Sequence, residues 1–286
     1  MNKIILIIGF CLFTLVSLAS DRGRETINES WYFHKGDIKG AEQLAIDYSS
    51  WEHINIPHCW NAEDAYKTKD YYRGIGWYRK EITIPSRYKG KQMFLRFDGA
   101  SLRADVYVNG KYIGNHKGGY TAFCFDVTDQ VNIGQKNIIA VKVDNSEQDI
   151  APLSADFTFF GGMYRDVWLI STNKVHFDME NMASCGVFVE TPKVSAEEAS
   201  VLIKGVVRNK DEDNKKLKLS NTILDSKGTI VSKEVISLSI RKGESSPFSI
   251  QVKSIKKPNL WSPESPYPYT VETSILDAKT NTVIDK

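Results

Sequence analysis

Apolar residues recur at every second position in short segments along most of this 286-residue sequence. Residues 93–97 (MFLRF) and 104–108 (ADVYV) show the pattern, and the second segment runs into Asn109-Gly110. A period of two is typical of a β-strand with one buried face, and Asn-Gly is the strongest short signal for a two-residue hairpin. The sequence therefore predicts an all-β fold.

The composition of the predicted strands changes near residue 172. Before that point the strand patterns are rich in aromatic residues and predict a two-sheet sandwich over residues 21–172. The remaining residues, 173–286, show alternating segments with fewer aromatic residues. Their number and total length predict a smaller, immunoglobulin-like sandwich. Prolines between residues 258 and 268 predict an extended approach to a late strand. Only residues 41–47 and 194–200 have a pattern compatible with helical turns.

The first twenty residues, MNKIILIIGFCLFTLVSLAS, have the composition of an export signal. Lys3 precedes an apolar run from Ile4 to Val16, and Ser17 and Ala19 are small residues of the kind found at a cleavage site. The alternative is a membrane anchor, but the run is shorter than the roughly 18 to 20 residues of a spanning helix. We therefore predict a cleaved signal over residues 1–20, a periplasmic or extracellular location, and no membrane span after cleavage.

Charge and cysteine content narrow the possible functions. The net charge is +2, and dispersed Lys and Arg provide no electrostatic footprint for nucleic acid, so no nucleic-acid partner is predicted. Cys59, Cys124 and Cys185 are an odd, widely spaced set that favours small buried thiols, although one pair could still form a disulfide. The sequence lacks GxSxG and HExxH motifs, a glycine-rich phosphate loop and any His–acid cluster at metal-ligand spacing.

Aromatic and polar residues on predicted loops point instead to sugar binding. A pyranose ring offers an apolar face to an aromatic side chain and hydroxyls that require fixed hydrogen-bond partners. The candidates are Asp156, before the aromatic run 157–164, and His58 and Trp60 on an earlier loop. Each has a structural alternative: Trp60 as core packing, His58 as a ring that satisfies a backbone group, and Asp156 as a turn cap or the partner of an arginine.

Four long segments occur in a characteristic order. They are WEHINIPHCWN (51–61), YYRGIGWYRKEITIP (71–85), LRFDGA to DVTD (95–129) and SADFTFFGGMYRDVWL (154–169). Together they resemble the amino-terminal sugar-binding domain of glycoside hydrolase family 2, which includes β-galactosidases, β-glucuronidases and β-mannosidases. LWSPESPYPYTVE (260–272) is similar to the end of the immunoglobulin-like domain that follows. The resemblance implies a jelly-roll, galactose-binding-like sandwich at residues 21–172 and an immunoglobulin-like sandwich at residues 173–286.

The resemblance also implies a division of labour. In that family a (β/α)₈ barrel follows these two domains and holds two glutamates, a general acid/base and the nucleophile of a retaining double displacement. The sequence ends at Lys286, near the expected end of the second domain, so the resemblance implies no catalytic residue in this chain and a catalytic barrel as its partner. Two alternatives remain: a non-catalytic carbohydrate-binding module and a structural or interaction fragment.

Asp156 takes its expected role from the same resemblance. The matching acid in the family reaches the active site of the barrel, where it binds sugar hydroxyls and, in some relatives, a cation. Asp156 is therefore expected to position a β-linked glycoside or oligosaccharide, with a β-galactoside as the first expectation, because a carboxylate can accept from two hydroxyls. No organic cofactor is expected, and a bound cation near Asp156 is left open. An exposed apolar surface is expected at residues 157–164, where a barrel would sit.

The residues after Asp156 are expected to support its loop. Gly161 and Gly162 are expected to supply positive φ or close backbone approach, and Arg165 and Asp166 an ion pair at the entry to a strand. Cys59 departs from the polar residue that is common at this position in the family. A thiol is a poor acceptor, so a sugar contact at this position is not expected.

Overall fold

The computed structural model describes residues 22–67, 70–146, 149–151 and 157–286. The predicted export signal and Asp156 lie outside these residues. The described strands are β1 (Gly23–Thr26), β2 (Trp31–Lys35), β3 (Glu52–Ile54), β4 (Ile75–Thr83), β5 (Gln92–Phe97), β6 (Arg103–Val108), β7 (Lys111–Lys117), β8 (Phe123–Asp126), β9 (Lys136–Asp144), β10 (Val167–Thr172), β11 (Val175–Phe177), β12 (Val187–Val194), β13 (Glu198–Asn209), β14 (Lys215–Leu224), β15 (Ile230–Ile240), β16 (Ser245–Lys256), β17 (Thr270–Asp277) and β18 (Val283–Asp285). One α-helix, α1 (Ala62–Lys67), is described, and no described helix has the length and apolar character to cross a bilayer.

Strands β1 to β10 form two antiparallel sheets that pack as a sandwich. One sheet has the order β3-β2-β4-β9-β6-β7 and the other has the order β1-β10-β5-β8. Met93, Leu95 and Phe97 of β5 are buried in one cluster with Val106 and Val108 of β6. The alternating residues of the two sheets therefore share the core, as in aligned β-sandwiches. The all-β prediction is confirmed.

The hairpin predicted at Asn109-Gly110 joins β6 to β7. Its two residues have φ angles of 51° and 78°, the left-handed values that a two-residue type I′ turn requires. The two segments compatible with helical turns are not helices. Residues 41–47 form irregular turns against the outer face of the six-stranded sheet, and residues 194–200 reverse the chain between β12 and β13. Packing and strand pairing therefore override local helical preference there.

The remaining strands form the second sandwich. In one sheet β13 pairs with β11, β12 and β16, and the other sheet has the order β15-β14-β17-β18. A separate hydrophobic cluster that includes Ile203, Leu219 and Ile275 lies between these sheets. The proline-rich residues 257–269 connect β16 to β17 without regular structure. Each sandwich thus has its own core.

The two sandwiches are joined near both ends of the described chain. Arg22 donates to the buried carboxylate of Asp285 from Nε at 2.9 Å and from Nη2 at 2.6 Å. The same carboxylate accepts the Phe177 N–H at 2.9 Å. Beside this contact, the ring of His176 lies edge-on against Phe94 of the first sandwich. Because charge-assisted bidentate pairs are the stronger hydrogen bonds, these contacts tie β1 to β18.

All three cysteines of the described residues are unpaired. Cys59 is half-buried, Cys124 is buried and Cys185 is exposed. Burial raises the pKa of the Cys124 thiol to about 12, so this side chain stays protonated at neutral pH. Cys124 therefore behaves as the small apolar core residue that the sequence favours.

Candidate functional site

Residues 157–166 form a loop that leads into β10 at one end of the first sandwich. Backbone hydrogen bonds connect this loop to residues 58–60 and to residues 98–101. Asp156 precedes the described part of the loop, so its role stays a prediction. The described residues show how the segment that follows Asp156 is held.

Two buried asparagines bind the loop through its peptide groups. Asn61, directly before α1, donates from Nδ2 to the Phe159 carbonyl and accepts the Gly161 N–H at Oδ1, both at 3.0 Å. Asn145, directly after β9, donates from Nδ2 to the same Phe159 carbonyl at 3.0 Å. Both asparagines are fully buried. Since a buried polar group that loses its partner is costly, these bonds fix the loop backbone.

Phe159 is held on its other sides as well. Its N–H donates to the Tyr71 hydroxyl at 2.9 Å, and its ring centroid lies 4.5 Å from the guanidinium carbon of Arg73. Arg73 also donates to the Asn145 carbonyl from Nε and Nη2, each at 3.1 Å. The amide, the carbonyl and the ring of Phe159 therefore each have a partner.

Gly161 and Gly162 allow the close approach that the sequence predicts. A Cβ atom on Gly161 would lie 2.3 Å from Cζ2 of Trp60, and one on Gly162 would lie 2.4 Å from the His58 carbonyl oxygen. Gly162 also has a φ of 127°, a region that favours glycine. A side chain at either position would therefore clash with the residues beneath the loop.

His58 packs beneath the loop and is half-buried. The backbone N–H of His58 donates to the Met163 carbonyl at 2.8 Å, and the ring Nδ1 lies 2.8 Å from the Tyr78 hydroxyl. Burial lowers the pKa of His58 and raises the pKa of Tyr78, so both side chains are neutral at pH 7. The Tyr78 hydroxyl also accepts the Met163 N–H at 3.4 Å. The ring is packed, as the structural alternative for His58 expects, but its Nδ1 meets a tyrosine hydroxyl rather than a backbone group, and a contact with sugar stays a prediction.

Trp60 belongs to the core of the first sandwich. Its side chain is only 6% exposed and stacks on Phe33, with ring centroids 5.9 Å apart and an interplanar angle of 10°. A pyranose would require an open ring face. The burial therefore argues against the predicted sugar contact of Trp60 and favours its alternative, core packing under the loop. Its Nε1–H has no hydrogen-bond partner among the described residues.

Arg165 and Asp166 do not form the ion pair that the sequence suggested. Asp166 accepts from Nδ2 of Asn28 at 2.9 Å, and its carbonyl accepts the Asp98 N–H at 2.9 Å. The exposed Arg165 instead has its guanidinium carbon 5.4 Å from the Tyr164 ring centroid and Nη1 3.5 Å from the Asp98 carbonyl. Side chains of successive residues point to opposite faces at the entry to a strand, so the two residues meet different partners. Asp166 anchors the end of the loop through Asn28.

Cys59 contributes to the buried support of the loop. Burial raises the pKa of its thiol, which therefore stays protonated at neutral pH. Its Sγ donates to Oδ1 of Asn61 at 3.3 Å. A protonated thiol is a weak donor, and this contact adds to the hydrogen bonds that orient Asn61.

The outer face of the loop is exposed and apolar. Phe157 and Phe160 of the loop, together with Tyr120 from outside it, are between 42% and 53% exposed. They border a cavity of about 390 Å³, whose described lining residues are Ser101, Tyr120, Phe157, Thr158, Phe160 and Tyr164. None of these described residues carries a carboxylate. The exposed apolar surface expected at residues 157–164 is present, and such surfaces mark interaction or ligand sites.

Metal ligands are not gathered in the part of the chain that the structure describes. No group of three or more His, Cys, Asp or Glu side chains there could hold a metal ion. A cation beside Asp156 stays a prediction, because that residue lies outside the described segments.

Sequence reasoning did not assign support of the loop to Asn61, Asn145, Tyr71 or Tyr78. An asparagine directly before a helix is typical of an N-cap, and one directly after a strand is typical of a turn. The two tyrosines carry no signal that separates them from other core aromatic residues. The only available signal was the position of both asparagines at the boundary of a regular element.

Two family models match this chain. Residues 14–173 match "Glycosyl hydrolases family 2, sugar binding domain", and residues 186–286 match "Glycosyl hydrolases family 2". The first match includes all strands of the first sandwich, and the second includes those of the second sandwich except β11, which lies between the two ranges. The loop at residues 157–166 lies within the first match, and most of the sandwich that follows lies within the second.

Individual relatives cover nearly the whole chain. A β-glucuronidase from Bacteroides fragilis is 39% identical over 274 residues, which are 93% of this chain and 37% of that protein. A β-galactosidase from Thermoanaerobacter pseudethanolicus is 32% identical over 262 residues, which are 89% of this chain and 33% of that protein. A crystal structure of Bacteroides uniformis β-glucuronidase superposes with a TM-score of 0.90 at 46% identity and covers 92% of this chain and 31% of that one. The chain spans about a third of the length of these relatives.

Proposed function

Because this chain belongs to glycoside hydrolase family 2, we propose that it forms two amino-terminal domains of a β-glycoside hydrolase and supplies that enzyme with a substrate-positioning loop. One observation carries the proposal: the loop at residues 157–166 is bound from beneath and open above. Buried side chains bind its peptide groups, while its outer aromatic residues are exposed. Rigid support of this kind can hold a neighbouring functional group in a fixed position.

The bond-breaking step is proposed to belong to a catalytic barrel outside this sequence. One glutamate of the barrel would act as general acid/base and the other as nucleophile, and such a retaining pair stands about 5 to 5.5 Å apart. The aromatic cavity supports this division, because no described residue that lines it has a carboxylate. We propose that the barrel covers the exposed surface around Phe157 and Phe160.

Asp156 is proposed to bind substrate hydroxyls at the edge of that barrel. An ionised carboxylate has two oxygens and can accept from two neighbouring hydroxyls of a sugar ring. Hydrogen bonds to charged groups are worth roughly 1.5 to 3 kcal/mol each, so loss of this charge is expected to reduce the stabilisation of the transition state measurably. His58 and Trp60 are assigned to the support beneath the loop, because their described contacts are with protein.

The proposed substrate class is a β-glucuronoside. The relatives named β-glucuronidase reach 39% identity in sequence and 46% among solved structures, whereas the β-galactosidase from Thermoanaerobacter pseudethanolicus reaches 32%. These identities favour a β-glucuronoside over the β-galactoside that the loop motif first suggested. Export stays a prediction that rests on residues 1–20.

Asp156→Asn tests the proposal in the complete protein that its gene encodes. We expect turnover of an aryl β-glucuronide, weaker turnover of the β-galactoside and β-mannoside, and a loss of roughly 10- to 100-fold in kcat/KM for the variant, because each hydrogen bond to the charge contributes roughly 1.5 to 3 kcal/mol. Asp129→Asn is the matched control, since Asp129 is an exposed acid of the same sandwich, far from this loop in sequence.

The 286-residue chain by itself should show no turnover. Robust hydrolysis by this chain alone would contradict the proposal, because a catalytic pair would then have to lie within the two sandwiches. Tight binding of the same sugars by the chain alone, with an inactive complete protein, would favour the carbohydrate-binding alternative. Calorimetric titration of glucuronic acid and galactose against the chain distinguishes these results.

A further inference from the structure

One backbone carbonyl of the loop is the meeting point of two buried side-chain amides. Asn61 and Asn145 lie far apart in the sequence, and both donate from Nδ2 to the Phe159 carbonyl at 3.0 Å. A carbonyl oxygen has two lone pairs, so two donors saturate it. Both asparagines are 0% exposed, so water cannot replace either amide. We refer to these three groups as the amide clamp.

Each asparagine also binds a second segment of the chain. Asn61 Nδ2 donates to the Tyr72 carbonyl at 3.0 Å, and Asn145 Oδ1 accepts the Gly74 N–H at 2.8 Å. Tyr72 and Gly74 lie immediately before β4 of the six-stranded sheet. The amide clamp therefore ties the loop to this sheet, and a shift of the loop would break several buried hydrogen bonds together.

The consequence reaches Asp156, which precedes Phe159 by three residues. Covalent geometry keeps residues at this separation within about 11 Å of each other, so the position of Phe159 restricts where the carboxylate can go. We propose that Asn61 and Asn145 are positioning residues: by fixing the Phe159 carbonyl they hold the backbone of residues 157–163, which follow Asp156 in the loop. The inference rests on the proposed function, in which Asp156 binds substrate.

The first test is hydrogen exchange on the 286-residue chain, which needs no enzymatic activity. Asn61→Asp and Asn145→Asp each remove the Nδ2 donor and keep an oxygen that can accept the same backbone N–H. We expect either substitution to speed amide exchange in the peptide that covers residues 157–163 by about tenfold or more, because the loop can then open locally. Asn145→Ala removes the same donor without adding a charge and serves if the aspartate variants do not fold.

Asn137→Asp is the matched control for these variants. Asn137 is also 0% exposed, and its Nδ2 donates to the carbonyls of Asn132 and Gln135, both at 2.9 Å. It lies near the first residue of β9, whereas Asn145 directly follows the last, so the control perturbs the opposite end of one strand. We expect faster exchange at residues 130–138 and unchanged exchange at residues 157–163. Unchanged exchange at residues 157–163 in all clamp variants overturns the inference.

The second test is kinetic and uses the complete enzyme. Asn145→Asp should lower kcat/KM for the aryl β-glucuronide by about tenfold when Asp156 is present and should have little further effect in an Asp156→Asn background. Asn137→Asp should lower the melting temperature yet leave kcat/KM within about twofold. Multiplicative losses in the double variant would show that Asn145 merely stabilises the fold, and would overturn its positioning role.

The two tests separate the inference from the proposed function. A complete protein without glycosidase activity overturns the proposed function, whereas faster exchange at residues 157–163 in the clamp variants still supports the amide clamp. Unchanged exchange together with normal kinetics of the clamp variants overturns the clamp and leaves the proposed function standing.

Discussion

The two sandwiches both expose aromatic side chains beside an apolar cavity, but they support them differently. In the first, the loop at residues 157–166 borders a cavity of about 390 Å³ and is bound by buried asparagines from other segments. In the second, the proline-rich residues 257–269 border a cavity of about 300 Å³ and expose 62% of Trp261. The described side-chain hydrogen bonds of that segment join its own residues, such as the Asn259 N–H to the Tyr269 hydroxyl at 2.9 Å.

The contrast shows that exposure of aromatic side chains and buried polar support of a loop are separate properties. Exposed apolar residues are common on protein surfaces and do not by themselves identify a site. Buried polar groups that bind a loop are harder to explain by packing alone, since an apolar core would serve packing equally well. The loop at residues 157–166 has both properties. The segment with Trp261 has the exposure without the buried polar support.

The largest difference in the free energy of unfolding is expected between substitutions of two tryptophans. Trp60→Ala should lower the free energy of unfolding by about 3 to 5 kcal/mol, because it removes a buried ring that stacks on Phe33. Trp261→Ala should change it by about 0.5 kcal/mol or less, since that side chain is mostly exposed. Urea unfolding of both variants measures the difference. Similar effects of the two substitutions would contradict the assignment of Trp60 to the core.

A smaller effect compares glycines at two positive-φ positions. Gly162→Ala should cost about 2 to 4 kcal/mol, because its Cβ would lie 2.4 Å from the His58 carbonyl oxygen and its φ is 127°. Gly228→Ala, in a turn of the second sandwich with φ of 80° and no atom within 4 Å of the added Cβ, should cost about 1 kcal/mol. Thermal unfolding of the two variants gives the comparison, and equal costs would mean that the loop relaxes around the added methyl group.

The smallest expected effect is a pH dependence. Burial lowers the folded-state pKa of His58 below its ordinary value of 6.5, so the unfolded chain binds more protons as the pH falls through that value. Stability is therefore lost as the pH falls below about 6.5, by less than the ceiling of about 1.4 kcal/mol per pH unit for one group. No histidine follows His176 in the sequence, so most of the second sandwich lacks this contribution.

His58→Gln checks the origin of that pH dependence. The variant should unfold with a weaker pH dependence between pH 6.5 and 5 than the unsubstituted chain, as followed by urea unfolding at several pH values. His34→Gln provides a histidine control within the same sandwich. An identical pH dependence in the His58 variant would assign the effect to other histidines, such as the half-buried His116 and the buried His176, whose pKa values burial also lowers.

Much of the fold follows from local pattern. Alternation at residues 93–97 and 104–108 predicted strands that the structure contains, because a strand with one buried face must place its apolar residues two apart. Asn109-Gly110 predicted its turn, because few other residues adopt the left-handed φ values of a type I′ hairpin. The glycines at residues 161 and 162 were predicted for the same kind of reason. For the strands, the turn and the positive φ of Gly162, the physical requirement lies within a few residues of the chain, whereas the close approaches at both glycines involve the distant residues 58 and 60.

The site was less predictable, because its contacts join distant segments. A tryptophan on a predicted loop, such as Trp60, is typical of a residue that stacks on a sugar ring. In the structure, however, Phe33 of β2 packs against its ring. Arg165 and Asp166 suggested a pair with each other, yet Asp166 meets Asn28, far away in the sequence. The sequence by itself determined the two-sandwich fold, the family and the glycine-dependent loop, through periodicity, motif order and backbone sterics. Only the tertiary structure decided which side chains support the loop, because burial and hydrogen-bond partners depend on how distant strands pack.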